Sequence, residues 1–131
     1  MRHAFFATVL MLCAMPATAH DNHTPYERPG DTWQLVSLNG RAFEAGATLT
    51  FPEFGRIAGA APCNRYFGTM KAAFPWFKAE HIAATRRACP DLALESEFLQ
   101  TLEKMTIAEE ADGMLILTGE GNAEMVFKAR E

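Results

Sequence analysis

From residue 32 onward, apolar and polar positions alternate in short runs, broken at close intervals by glycine, proline and asparagine. Thr32-Trp33-Gln34-Leu35-Val36-Ser37-Leu38 is rich in β-forming residues and stops at Asn39-Gly40, a tight-turn pair, so it reads as a strand entering a hairpin or loop. Thr48-Leu49-Thr50-Phe51 alternates and ends at Pro52, and Gly55-Arg56-Ile57-Ala58-Gly59 resumes extended structure after a turn. Phe67 to Ala72 and Trp76 to Ile82 supply two further strands on either side of Pro75. Beyond Cys89-Pro90 the period changes. With Asp91 as its cap, Leu94, Phe98, Leu99, Leu102 and Met105 recur at helical spacing, and Glu95, Glu97, Glu103 and Lys104 fall elsewhere, on the expected solvent face. Three more strands follow, Thr106 to Glu109, Met114 to Thr118 and Glu124 to Lys128, separated by Asp112-Gly113 and by Gly119-Glu120-Gly121-Asn122. Seven or so short strands and one helix, without a helix between successive strands, argue against a parallel sheet. The expected fold is mainly β (α+β): a small antiparallel barrel or strongly curved sheet with the helix packed over one opening.

The start of the chain has a different pattern. Met1, Arg2 and His3 are followed by an apolar run from Ala4 to Met15, interrupted only by Thr8, and then by Pro16-Ala17-Thr18-Ala19 and the polar stretch from His20. A positive start, an apolar core and an A-x-A site define a secretory signal peptide over residues 1–19, cleaved after Ala19. The apolar run is shorter than the ~20 residues that span a bilayer, so no membrane span is expected. Lipidation at Cys13 is the competing reading, but the residue before a lipidated cysteine is small and here it is Leu12. Residues 20–31, with Pro25, Pro29 and Gly30 and few apolar positions, read as a flexible, exposed lead-in, which leaves 32–131 as one domain. The chain is expected in the periplasm or outside the cell.

Composition narrows the function. With 131 residues, 49% hydrophobic and 21% charged, disorder and coiled coil are excluded. The formal charge is −4, and removal of the leader takes away one basic residue, Arg2, and no acidic one. No basic run exceeds Arg86-Arg87, so nucleic acid is not an expected partner. Cys63 and Cys89 remain in an exported chain, where a lone pair of thiols closes to a disulfide, and the chain-entropy model assigns a bridge of that span about 3.5 kcal/mol. A metal site is the rival reading. Neither cysteine belongs to a C-x-x-C and no histidine is closely spaced with them.

Taken in order, Trp33-Gln34-Leu35, Leu38-Asn39-Gly40, Gly59, Cys63-Asn64-Arg65-Tyr66-Phe67-Gly68, Thr85-Arg86-Arg87-Ala88-Cys89-Pro90, Glu95 with Phe98-Leu99 and Leu102, and Asp112-Gly113-Met114-Leu115 closely resemble the META domain, or HslJ-like, family. The resemblance runs from about Thr32 to Lys128. One departure is Pro62, where the family usually has a small or flexible residue, and it stiffens the loop locally. The resemblance implies a secreted or outer-membrane-associated bacterial protein of compact β-rich fold, linked in its relatives to heat shock, to antibiotic (novobiocin-type) tolerance and, in a parasite branch, to virulence, with no established enzymatic activity.

The motif residues have structural readings of their own. Gly59 and Gly68 suit positive φ or close backbone approach. Asn64 can bond backbone groups and stand in for a ladder partner, and the Arg86 fork can tie loop carbonyls or a carboxylate near the bridge. Arg65, Arg86 and Arg87 form a candidate patch for an anionic partner, set against an acidic background. Tyr66, Phe67, Phe74, Trp76 and Phe77 either fill the core or line a groove. A nucleophilic site built from Cys63 or Cys89 with His81 is silenced by a disulfide and lacks an orienting third residue. His20 and His23 are a chelating set only if the new amino terminus joins them. The reading is therefore a non-enzymatic, monomeric cell-envelope protein without cofactor, acting in stress tolerance by contact with an envelope protein or component. The alternative is a periplasmic small-ligand or metal-binding module using the barrel opening or the N-terminal histidines.

Overall fold

The computed structural model describes residues 4, 9–15 and 22–130; the expected cleavage motif and His20 lie outside the described residues. Nine strands and one helix follow in the order β1 (Thr32–Leu38), β2 (Arg41–Ala42), β3 (Thr48–Leu49), β4 (Gly55–Ala60), β5 (Arg65–Met70), β6 (Ala79–Ala84), α1 (Leu92–Lys104), β7 (Met105–Ala111), β8 (Met114–Gly119) and β9 (Glu124–Arg130). Every pairing is antiparallel. The turns are where the sequence puts them: Asn39-Gly40 and Asp112-Gly113 both take left-handed φ, which the short polar side chain and the glycine permit.

The strands form two sheets, not a closed barrel. One runs β2-β1-β9-β8-β7 with β3 also on β1, and the other runs β4-β5-β6. At one seam they are joined by the single bridge Thr50–Ala58. β3 itself ends at Leu49, and beyond the Thr50–Ala58 bridge Pro52 has no N–H with which to extend a ladder to β4. At the other seam the free edge of β7 is covered by the segment before β6, with the Trp76–Ile107 bridge, Phe77 N–H donating to Thr106 O at 2.9 Å and Ala108 N–H to Pro75 O at 2.8 Å. Trp33, Tyr66, Phe98, Leu102, Leu117 and Phe127 fill the space between the sheets and the helix. No helix among the described residues is long and apolar enough to cross a membrane.

Four expectations are corrected. β5 and β6 cover 65–70 and 79–84 instead of 67–72 and 76–82, because residues 75–77 are diverted to β7. Met105 starts β7 and does not end the helix, and Asp91 sits at the cap position without a side-chain capping bond. On α1 the buried positions are Glu95, Phe98, Thr101 and Leu102, while Leu94 is exposed. The described part of the lead-in is also not free in solvent. Pro25 is buried, the Tyr26 ring lies 4.8 Å from Phe51 and 5.4 Å from Phe74, its hydroxyl donates to Trp76 O, and Arg28 pairs with Glu110 on β7. This short stretch straps the segment that covers β7.

Gly59 on β4 shows how tightly the seam is drawn. A Cβ there would lie 2.1 Å from Thr48 O and 2.8 Å from the Tyr66 hydroxyl, so the family glycine answers to close approach and not to positive φ. The same reason holds for Gly68, where a Cβ would meet Glu80 O at 3.0 Å and Ile82 at 3.1 Å. Gly59→Ala is expected to lower stability by about 1–3 kcal/mol with a native circular dichroism spectrum, because the backbone of β3 has to move. A urea midpoint equal to wild type would show that the seam is looser than described.

Candidate functional site

The family-motif residues gather where the loop before β5, the end of β6 and the start of α1 meet. Cys63 and Cys89 form a disulfide with their Cα atoms 5.7 Å apart, tying the loop before β5 to the stretch that leads through Pro90 into the helix. Beside it lies Glu95, which is 6% exposed and not on the solvent face expected for it. Its Oε1 accepts the backbone N–H groups of Cys63 at 3.1 Å and Asn64 at 2.8 Å, and its Oε2 accepts Asn64 Nδ2 at 2.7 Å. A buried carboxylate tolerates its desolvation only when its lone pairs are occupied in this way.

Asn64 spends its whole amide on the same corner. Nδ2 also donates to Arg87 O at 3.0 Å, while Oδ1 accepts the Thr85 hydroxyl at 3.0 Å and the Arg87 N–H. Thr85 Oγ1 in turn accepts the Arg65 N–H at 3.2 Å. Thr85 N–H still donates to Arg65 O at 3.0 Å, and beyond it the side chain of Asn64 stands in for the ladder partner at Arg87, as expected for it. Tyr66, the next residue on β5, is buried with its ring edge-on to Phe98 at 5.5 Å; its hydroxyl donates to Thr48 O, and burial pushes the phenol well above its ordinary pKa. The polar atoms of Asn64, Tyr66, Thr85 and Glu95 are therefore committed to holding the corner together.

What the corner presents outward is different. The backbone of residues 60–65 and 85–87 walls an open groove of about 560 Å³ whose rim carries Arg65, Arg86 and Arg87, all exposed. Ion pairs among the described residues engage Arg28, Arg41, Arg56 and Lys78, and none engages these three. The Arg86 fork was expected to tie loop carbonyls or a carboxylate; Arg86 is exposed and makes no ion pair among the described residues.

A second cavity, of about 390 Å³, opens beside the lead-in, lined by Tyr26, Phe51, Phe54, Met70 and Phe74 with Glu27 and Glu53 at its edge. The aromatic cluster of the middle segment divides: Tyr66 and Phe77 are core, Phe74 is half-buried, and Phe67 and Trp76 are 56% and 61% exposed. His81 sits at the bulge of β6 in left-handed φ and lines a depression away from the disulfide, so the Cys–His pair is not assembled. The Nδ1 of His23 is 3.9 Å from Glu27, and among the described residues no three metal-ligating side chains converge.

Two variants separate the contributions at the corner. Glu95→Gln puts an amide N–H₂ against a donor whichever way it turns and is expected to cost about 2–3 kcal/mol. Cys63→Ser with Cys89→Ser is expected to cost about 2–5 kcal/mol. Both act on the same loop, so the combined variant should depart from additivity in a urea double-mutant cycle. Full additivity, or two free thiols titrated in the denatured, unreduced protein, would contradict the coupling.

Comparison with known proteins places the fold. The solved structures similar to the chain include an NMR structure of a protein from Burkholderia xenovorans, 20% identical, covering 88% of this chain and 94% of that one with a TM-score of 0.64. A second NMR structure is 23% identical over 81% of this chain and 94% of that one, also at 0.64. A DUF4847 family protein from Bacteroides vulgatus is 16% identical over 76% and 92%, at 0.59. No curated protein matches the chain. The family profile described as META domain matches residues 27–131, which takes in the lead-in from Glu27, the Asn64–Glu95 corner and all nine strands; the chain belongs to the META domain family.

Proposed function

We propose that the protein is an exported, non-enzymatic contact module of the cell envelope that supports tolerance of heat and of novobiocin-type antibiotics by binding an anionic envelope component through the groove over the disulfide. One observation carries this reading: Asn64, Tyr66, Thr85 and Glu95 use their polar atoms internally, while Arg65, Arg86 and Arg87 of the same motif stand around an open rim and make no ion pair among the described residues. A rim of guanidinium forks recognises carboxylate or phosphate and performs no chemistry on it. The leader-like start and the disulfide both suit an oxidising compartment. The second reading, a small-ligand module, rests on the aromatic cavity beside Tyr26.

Complementation of a strain lacking the gene tests the reading. The full chain should restore growth under heat and novobiocin. The Arg65→Gln, Arg86→Gln, Arg87→Gln variant should fail at equal abundance, as should a chain without residues 1–19. Full rescue by the arginine variant would reject the groove and favour the cavity, and rescue by the leaderless chain would reject export.

A further inference from the structure

The outer face of the β4-β5-β6 sheet carries no acidic residue in its hollows, although the chain as a whole has a formal charge of −4. The groove over the disulfide adjoins a second depression at Arg65, and that one adjoins a third at Phe67. Their linings contain Arg56, Arg65, Lys71, Arg86, Arg87 and Arg130, together with His81, and no Asp or Glu. Residues 51–90 hold six basic and two acidic side chains, and both acids are already paired, Glu53 with Arg56 at 2.9 Å and Glu80 with Lys78 at 3.1 Å. Residues 91–131 hold ten acidic and three basic ones. The charge is unevenly divided along the chain, basic over the segment of β4 to β6 and acidic over that of α1 and β7 to β9.

The same face exposes two rings. Phe67 stands in the middle of β5, and its cross-strand neighbours are Ala58 and Ala83, whose methyl groups are too short to cover it. Phe54, at the turn between β3 and β4, is 88% exposed. Both rings and Lys71 border one depression. A phenylalanine has no polar handle to reward its exposure, and two of them beside Lys71 and Arg65, which make no ion pair among the described residues, form an amphipathic surface.

We propose that this face docks on an anionic lipid bilayer, with Arg65, Lys71, Arg86 and Arg87 at the level of the headgroups and Phe54 and Phe67 inserted below them. The proposal rests on the envelope-contact reading and names the component. The charge complementarity selects an anionic surface, and the acidic half repels it, which sets the orientation. The shape selects a fluid one: Phe54 projects from a turn tip, and a bilayer closes around a projecting ring where a folded partner would need a matching socket.

Sedimentation with vesicles tests it, using the secreted form recovered after expression of the full chain. The protein should pellet with vesicles of phosphatidylcholine mixed with phosphatidylglycerol at low salt, and remain in solution with phosphatidylcholine alone or at about 0.5 M salt. Arg65→Gln with Arg86→Gln and Arg87→Gln should weaken partitioning at least about tenfold and flatten its salt dependence. Phe54→Ser with Phe67→Ser should weaken it about tenfold with an unchanged urea midpoint, since neither ring is in the core. Equal binding to neutral vesicles, no binding to anionic ones, or a salt-sensitive dimer in place of vesicle binding would overturn the proposal. If the arginine variant fails in complementation while vesicles stay unbound, the contact reading stands and only the bilayer is rejected.

Discussion

Three hydrogen bonds to one buried carboxylate hold this architecture at its corner. Glu95 reaches from the first turn of α1 to the backbone of Cys63 and Asn64 and to the Asn64 side chain, so the helix, the loop and β5 share a single acceptor. Its removal would leave three donors buried without partners, a larger penalty than losing the bonds themselves. The disulfide acts at the same place by a different physics: it limits the unfolded chain, whereas the carboxylate stabilises the folded one. Asn64 extends the effect to Thr85 and Arg87, which fixes the strand end that lies opposite.

The two seams between the sheets are handled in different ways. At Thr50–Ala58 the strands approach so closely that only glycine fits at position 59. At β7 the gap is filled by residues 75–77 and strapped by Tyr26 and Arg28. An edge strand left open is a template for unwanted pairing, and this short strap covers it. The strap also shapes the rim of the aromatic cavity, so a stability device and a possible ligand site share Tyr26.

Charge is distributed to match this division of labour. The sheet that carries the disulfide corner shows the outside cations and two unshielded rings, and the opposite sheet and helix carry most of the acids. Within the motif the roles divide by the period of the strand: Tyr66 and Gly68 are buried on β5, and Arg65 and Phe67 between them face outward. The network underneath fixes the backbone that carries those side chains, so contact costs their rotamer freedom but little backbone entropy.

Much of this was legible along the chain. The tight turns were marked by Asn39-Gly40 and Asp112-Gly113, the helix by Phe98 and Leu102, and the disulfide by two cysteines in a chain whose first residues read as a leader, because each of these depends on local backbone preference or on simple counting. The strand was expected to begin at Phe67, so the outward face that Arg65 shares with Phe67 on β5 was not legible. Glu95 was misplaced because a charged residue on a helix reads as solvated; its spacing of three and seven from Phe98 and Leu102 was the signal that it shares their face. The sequence by itself determined the helix, the turns, the family and most of the strands, though not β2 or the bounds of β5 and β6, since periodicity and φ preferences act over a few residues. Only the tertiary structure decided that the sheets stop short of a barrel, that Tyr26 straps the segment over β7 and that the arginines border adjoining hollows whose linings hold no acid, because those depend on which distant segments compete for the same edge and the same buried acceptor.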